Sequence, residues 1–292
     1  MKIRTLDLAW IGFLLLVLAK CLIVPDEPVP WSIIAGWLAL LAGAVWAWRA
    51  TQGGSERLAR WSWVYYPLAM NVAFLLLGPT VKRTTHWRAD AALQAIDSFF
   101  IGENLSLRLQ PYVSGVANEV FSFAYLFFML MLFGGILGYL LNRRYLPGFY
   151  SGLFTLYGIG FCGYVLVPAA GPYVAMAEQF AVPIVGGLFT DLNIQMVTQG
   201  SNHVDVFPSL HIAISTFVWF FLRRHWPALA WAIAPLVVLL WLSTLYLRYH
   251  YLIDLAAGFA LAAYCLHVAW REQPNEQPPI AAVSESRVLE SP

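Results

Sequence analysis

Phe207-Pro208-Ser209-Leu210-His211 opens one apolar segment near the C-terminal end, and Arg248-Tyr249-His250-Tyr251-Leu252-Ile253-Asp254 opens another. Each places a histidine at the mouth of a hydrophobic run, and the second adds a carboxylate four residues further on. On a helix, that spacing sets His250 and Asp254 on one face. The carboxylate then takes a hydrogen bond from one imidazole nitrogen, fixes the tautomer and leaves the other nitrogen's lone pair free to attack. His211, arriving from a different helix, is the candidate general acid for a leaving oxygen and general base for an incoming hydroxyl. Two histidines and an aspartate at the edge of a bilayer are the parts needed to break a phosphoester through a phosphohistidine.

The groups around them complete a candidate anion site. Pro208 suits the first turn of a helix, where its missing N–H costs nothing. The free N–H groups there and the Ser209 hydroxyl are expected to face phosphate oxygens. Arg248 is the expected fixed cation, and Tyr246 and Asn202 are further candidate substrate contacts. A bland reading competes with this one, because i,i+4 polar pairs on helices are mostly structural. His86, His203, His225 and His267 each read as interfacial or packing residues. Ionisable groups inside a membrane segment are expensive, however, and mark function by default. His203, His211, His250 and Asp254 also suit zinc chemically. No compact ligand spacing such as His-x-x-x-His is present, so the expectation is no metal and no cofactor.

The elements that must position these groups are membrane spans. Hydrophobic residues form 60% of the chain and charged residues 11%, far from a soluble domain. Thirteen Trp and fourteen Tyr supply rings of the kind that gather at membrane interfaces. A net charge of +1 gives no reason to expect a nucleic-acid partner. The cysteines Cys21, Cys162 and Cys265 lie in apolar runs and do not suggest a disulfide framework.

Runs near the roughly 20 residues needed to cross a bilayer occur at Leu8–Val24, Trp31–Trp48, Trp61–Gly78, Ala117–Leu141, Phe149–Pro168, Trp226–Leu247 and Tyr251–Trp270. Ser209–Leu222, bounded by Pro208 and Arg223-Arg224, reads as an eighth. The first run lacks a small-residue cleavage site and reads as a retained span rather than a signal peptide. The architecture expected is all-α and polytopic: two N-terminal helices over 1–60, a catalytic core over 61–271, and a disordered tail over 272–292. Within the core, 86–115 mixes apolar residues with Asp97, Glu103 and Arg108 at helical spacing, which predicts amphipathic helices on the outer surface.

Basic residues set the orientation. With the N-terminus inside, inner segments carry Lys2, Arg4, Arg49, Arg57, Arg60, Arg143, Arg144, Arg223, Arg224, Arg271 and Arg287. Outer segments carry Lys82, Arg83, Arg88, Arg108 and Arg248, with Lys20 near the outer end of the first span. That bias predicts cytoplasmic termini and puts both histidine motifs on the extracytoplasmic face of an inner (plasma) membrane.

Phe207-Pro208-Ser209-Leu210-His211 and His250-Tyr251-Leu252-Ile253-Asp254, on consecutive spans, resemble the type-2 phosphatidic acid phosphatase superfamily. The Phe-Pro-Ser-Leu-His form is similar to its inositol phosphorylceramide synthase (aureobasidin-target) branch. The resemblance covers roughly Asp97 to Trp270. It implies a six-helix catalytic core preceded here by two helices, a phosphohistidine on His250, an orienting Asp254 and acid/base work by His211.

Three departures from the pattern matter. Leu210 stands where the phosphatases of the superfamily have glycine. The lysine and Arg-Pro of its first motif have no basic match in Tyr164–Tyr173, and Thr244 stands where an arginine usually precedes the nucleophile. Those cations clamp a phosphomonoester, close to a dianion at neutral pH. A pocket without them suits a singly charged phosphodiester, so transfer of a phosphoryl headgroup from a lipid to an alcohol is the expected reaction. Hydrolysis of phosphatidic acid, phosphatidylglycerophosphate or a polyprenyl phosphate or diphosphate, with water as acceptor, is the alternative. It requires Lys82, Arg83 or Arg88 to fold over the site. A transporter or scramblase is disfavoured because the polar residues cluster at one face rather than lining several spans.

Overall fold

The computed structural model describes residues 3–273 except 24 and 54. Helices carry the whole fold among the described residues: α1 (Thr5–Ile23), α2 (Trp31–Gln52), α3 (Glu56–Thr84), α4 (Asp90–Ile101), α5 (Leu105–Arg108), α6 (Gly115–Leu141), α7 (Leu146–Leu166), α8 (Pro172–Ala175), α9 (Leu188–Gly200), α10 (Leu210–His225), α11 (Pro227–Tyr246) and α12 (Leu252–Glu272). Seven of them, α1, α2, α3, α6, α7, α11 and α12, are long and apolar enough to cross a bilayer. The chain is a polytopic membrane protein, as the sequence predicts.

The eighth expected span, α10, is 16 residues long. At about 1.5 Å per residue it falls short of a bilayer's hydrocarbon core of roughly 30 Å. Held inside the bundle against α6, α7, α11 and α12, it still runs from the start of α12, where Ser209 N donates to Asp254 O, to its end, where His225 meets Gln273, so the chain changes ends there as an eighth span would. In the other direction, α3 runs on past the expected Trp61–Gly78 segment to 29 residues, through Pro67 and Pro79. Each proline leaves the carbonyl four residues before it without its helical donor, a loss tolerated in a span packed among neighbouring helices. Helix α12 extends to Glu272, one residue into the expected tail; from residue 274 on the tail lies outside the described residues.

The two N-terminal helices are part of the same core. α1 packs on α7 and α2 on α3, with the rings of Trp10 and Phe13 against Phe161 of α7. At the end of the bundle where α1 begins and α12 ends, Arg4 donates to Asp7 and to Tyr66, and Tyr66 donates to Asp7. Glu272 there accepts from Thr5 N and from the Ser151 hydroxyl. These bonds satisfy buried polar groups and clamp one end, leaving the opposite end, where α12 begins and α7 ends, to carry the site.

The 86–115 region forms α4, α5 and a single 3₁₀ turn at Gln110–Tyr112. α4 is amphipathic, but its polar face points inward. Asp90 and Asp97 are buried, while Phe99 and Phe100 are among the most exposed large apolar side chains.

Candidate active site

The turn between α11 and α12 is built first. Helix α11 ends in a pair of bonds, Tyr249 N to Thr244 O at 2.9 Å and Arg248 N to Leu245 O at 3.1 Å. This is a Schellman closure, which needs a left-handed residue after the cap. That residue is Arg248, with φ of 68°. His250 N then donates to Thr244 O at 3.1 Å, fixing the histidine in the turn before α12.

The start of α12 is held by carboxylates. Asp97 of α4 accepts from Leu252 N at 2.7 Å and Ile253 N at 2.9 Å, satisfying two donors that every helix N-terminus leaves free. Asp254, in the first turn, reaches back to Tyr251 N at 2.8 Å, the acidic half of a capping box. Asp90 accepts from Ala170 N, Gly171 N and the Tyr251 hydroxyl, and so ties α4, the end of α7 and the start of α12 together. Gly171 has φ of 88°, and a Cβ there would stand 2.5 Å from Tyr249 O, so only glycine fits that approach.

His250 and Asp254 meet, though by a different route from the helical one expected. His250 lies outside α12, and the contact, 3.4 Å from His250 Nδ1 to Asp254 Oδ2, forms because the carboxylate folds back toward the turn. Both side chains are buried, and among the described residues neither His250 Nδ1 nor Asp254 Oδ1 has a hydrogen-bond partner. His250 Nε2 faces His211 Nδ1 at 3.4 Å. His211, in the first turn of α10, lies between the rings of Tyr125 and Phe128, with centroids at 4.6 and 4.5 Å. Burial pushes the His250 imidazole down to about 4, with the field of the Asp205 carboxylate opposing it. At neutral pH His250 therefore carries an unprotonated nitrogen, as a nucleophile must.

The two motifs are locked to each other. Ser209 N donates to Asp254 O at 3.1 Å, and the Ser209 hydroxyl accepts from Ile212 N as the N-cap of α10. This corrects the placement expected of Pro208. Ser209 caps α10 and is fully buried, its O–H remaining a donor, and Pro208 stands just outside the helix rather than in its first turn, joined to Phe207 by a cis peptide. Close approach at this junction requires Gly258, where a Cβ would stand 2.7 Å from Ser209 O.

Both histidines line a cavity of about 200 Å³. One part is polar, with Ser201, Asp205, Tyr173 and Tyr249; the rest is apolar, running between α3 and α6 along Met70, Phe74, Met129 and Leu132. Among the described residues, no lysine or arginine lines it.

The expected substrate contacts are largely elsewhere. The guanidinium of Arg248 stacks on Phe180 at 4.1 Å and donates to Val182 O at 2.5 Å, facing a neighbouring cavity behind Tyr173 and Tyr249. Its left-handed backbone turns the side chain away from the histidines. The Tyr246 hydroxyl donates to Asn118 Oδ1 at 2.7 Å, and the Asn202 amide donates to Phe74 O at 2.7 Å, so both act as struts. Lys82 and Arg88 are exposed, and Arg83 donates to Pro79 O of its own helix. At the position where an arginine was missed, Thr244 is buried and bonded to Trp241 O.

What the motifs did not reveal is the support. Asp90 and Asp97 are seven residues apart, two turns on one face, and Leu93 between them is also buried. That spacing was the available signal. Asp205 lies four residues before Ser209 in an irregular loop, where sequence gives no sign of its direction.

An unprotonated imidazole touching a carboxylate, a second imidazole at its free nitrogen and an adjoining apolar cavity can together attack and protonate an ester whose tail lies in lipid. The residues carrying this geometry fall in the region that matches the family model of the PAP2 superfamily, residues 98–268, which is more than half of the chain. No curated protein and no solved structure matches. The chain belongs to the PAP2 superfamily, whose members are generally enzymes, and is a membrane protein of its lipid phosphatase and phosphotransferase type.

Proposed function

We propose that the protein transfers a phosphoryl-bearing headgroup from a lipid phosphodiester to an alcohol through a phosphohistidine on His250. The observation that carries this reading is that, among the described residues, no lysine or arginine lines the histidine cavity. A phosphomonoester brings nearly two negative charges into that space and a diester one. An uncompensated charge in a low-dielectric site is costly, and each further charge costs more.

In the first step His250 Nε2 attacks phosphorus, and the bond to the lipid oxygen breaks. His211, protonated as the anionic phosphoryl group binds beside it, gives that oxygen its proton, and Asp254 supports the positive charge that develops on the His250 ring. In the second step His211 takes the proton of the incoming alcohol as its oxygen displaces His250. The N-terminal pole of α10, which carries His211, favours the anionic phosphoryl group. The Phe-Pro-Ser-Leu-His form agrees with a headgroup transferase, the inositol phosphorylceramide synthase branch being the one it resembles. The inside-weighted basic residues support cytoplasmic termini and a reaction at the extracytoplasmic face of the inner membrane.

The test is a lipid panel given to the purified protein, scoring new diester lipids and inorganic phosphate separately. Headgroup transfer to an added alcohol, faster than phosphate release from any monoester, is expected. Efficient phosphate release from a monoester or diphosphate lipid, with no transfer to any acceptor, would replace this reading with the lipid phosphate phosphatase.

A further inference from the structure

The cavity that holds the two histidines also holds a carboxylate. Asp205 lines it, with one oxygen accepting from the Ser201 hydroxyl at 3.0 Å. Its other oxygen is 3.4 Å from Asn202 N, and no cationic side chain of the protein pairs with it among the described contacts. It is the one carboxylate among the residues lining a space that must also accept a phosphate. A fixed negative charge beside a phosphate site, with no lysine or arginine among the described lining residues to offset it, makes sense if positive charge arrives with the ligand.

The walls near Asp205 are aromatic. Tyr125, Tyr164, Tyr173 and Tyr249 all line the cavity. Tyr249 is 4.9 Å from Tyr125 and 5.3 Å from Tyr173 between ring centroids, the latter edge-on. Asp205 lies within electrostatic reach of Tyr125, Tyr164, Tyr173 and His250. Several π-faces around a carboxylate are the surroundings in which organic ammonium groups bind. The ring faces attract the cation, and the apolar rims tolerate its methyl groups.

We propose that Asp205 and the surrounding tyrosines form a subsite for an ammonium group on the substrate's headgroup, so that the donor is a zwitterionic phosphodiester. This rests on the headgroup-transfer reading and names the headgroup class. The phosphate sits at the histidine pair, the ammonium at Asp205, and the acyl chains follow the apolar walls between α3 and α6. When the bond to the lipid oxygen breaks, the ammonium stays with the phosphoryl group on His250, so Asp205 holds the same charge through both steps.

The experiment uses the full chain in detergent micelles and two donors with matched acyl chains, phosphatidylcholine and phosphatidylinositol, with tetramethylammonium as competitor. Wild type should turn over the choline lipid at least about tenfold faster than the inositol lipid, in line with a desolvated cation–π site. Tetramethylammonium should inhibit. Asp205→Asn keeps an acceptor for Ser201 and should collapse that ratio toward one. Tyr173→Leu should lower it, and Tyr173→Phe should preserve it. A carboxylate acting only through His250 would slow both lipids by the same factor and leave the ratio unchanged, which overturns the subsite. So does equal or faster turnover of the inositol lipid without tetramethylammonium sensitivity, although headgroup transfer would then stand. If only monoesters are hydrolysed, the transfer reading falls. The ammonium subsite is then decided by whether tetramethylammonium inhibits that hydrolysis in wild type, and both tests use wild-type protein if the variants do not fold.

Discussion

Replacing Asp97 separates a carboxylate that builds the site from one that decorates a surface helix. Asp97 is 2% exposed, and its two oxygens take the N–H groups of Leu252 and Ile253 at 2.7 and 2.9 Å. Asp97→Ala leaves two buried donors without partners. Each such loss costs about 1–3 kcal/mol, so the variant should lose about 2–6 kcal/mol. Asp97→Asn keeps one acceptor oxygen but turns its amide toward an N–H and gives up a charge at the helix N-terminus, itself worth about 0.3–1 kcal/mol. It should fall between wild type and Asp97→Ala. The donors belong to the residues directly after His250 and Tyr251, so the damage should appear in kcat more than in KM. Thermal unfolding in detergent, with kcat and KM on the preferred lipid, reads both effects. A surface position would change stability by no more than about 0.5 kcal/mol. If Asp97→Ala melts with wild type and turns over within twofold of it, the argument that α4 holds the start of α12 is refuted.

Three further outcomes follow from the same geometry. Arg248→Gly relieves a left-handed residue, worth about 1–2 kcal/mol, while losing the bond to Val182 O and the stack on Phe180. Near-neutral stability and turnover within a few-fold of wild type are expected, whereas a phosphate clamp would lose more than about thirtyfold, or 2 kcal/mol. Gly258→Ala drives a Cβ to 2.7 Å from Ser209 O and 3.0 Å from Ile212 Cβ; overpacking of this kind costs about 1–3 kcal/mol, and both melting temperature and turnover should fall. In the pH profile of kcat/KM, the nucleophile's lone pair is available above the pKa of His250 and lost below it. The acid limb should therefore lie near 4, where burial holds His250, rather than near the ordinary histidine value, and a limb near 6.5 would contradict that burial.

Composition alone made the spans readable, because each apolar run is bounded by charged or turn-forming residues. The His250, Asp254 and His211 constellation was readable because few residue types do this chemistry at a membrane edge. Other features escaped for physical reasons. A helical period of apolar and acidic residues is the same whether the acidic face meets water or takes buried N–H groups, so Asp90 and Asp97 read as a surface face. The left-handed position that closes α11 usually announces itself as glycine; here it is Arg248, and nothing local tells that its side chain turns away. Pairs four apart suggest a helix face, yet His250 and Asp254 meet across a helix start, where the capping carboxylate folds back. Ser209 reads as a phosphate ligand because it precedes a helix start, but the same position is the N-cap, where its hydroxyl accepts from Ile212 N.

The most direct test of the central claim is to trap the intermediate on His250. The purified protein is incubated with a lipid phosphodiester labelled at phosphorus, quenched in base, digested and mapped. The account predicts base-stable, acid-labile label on the peptide containing His250, absent from His250→Ala and chased into a new lipid by an alcohol acceptor. A wild-type enzyme that turns over while carrying no label, or the same label retained in His250→Ala, would contradict it.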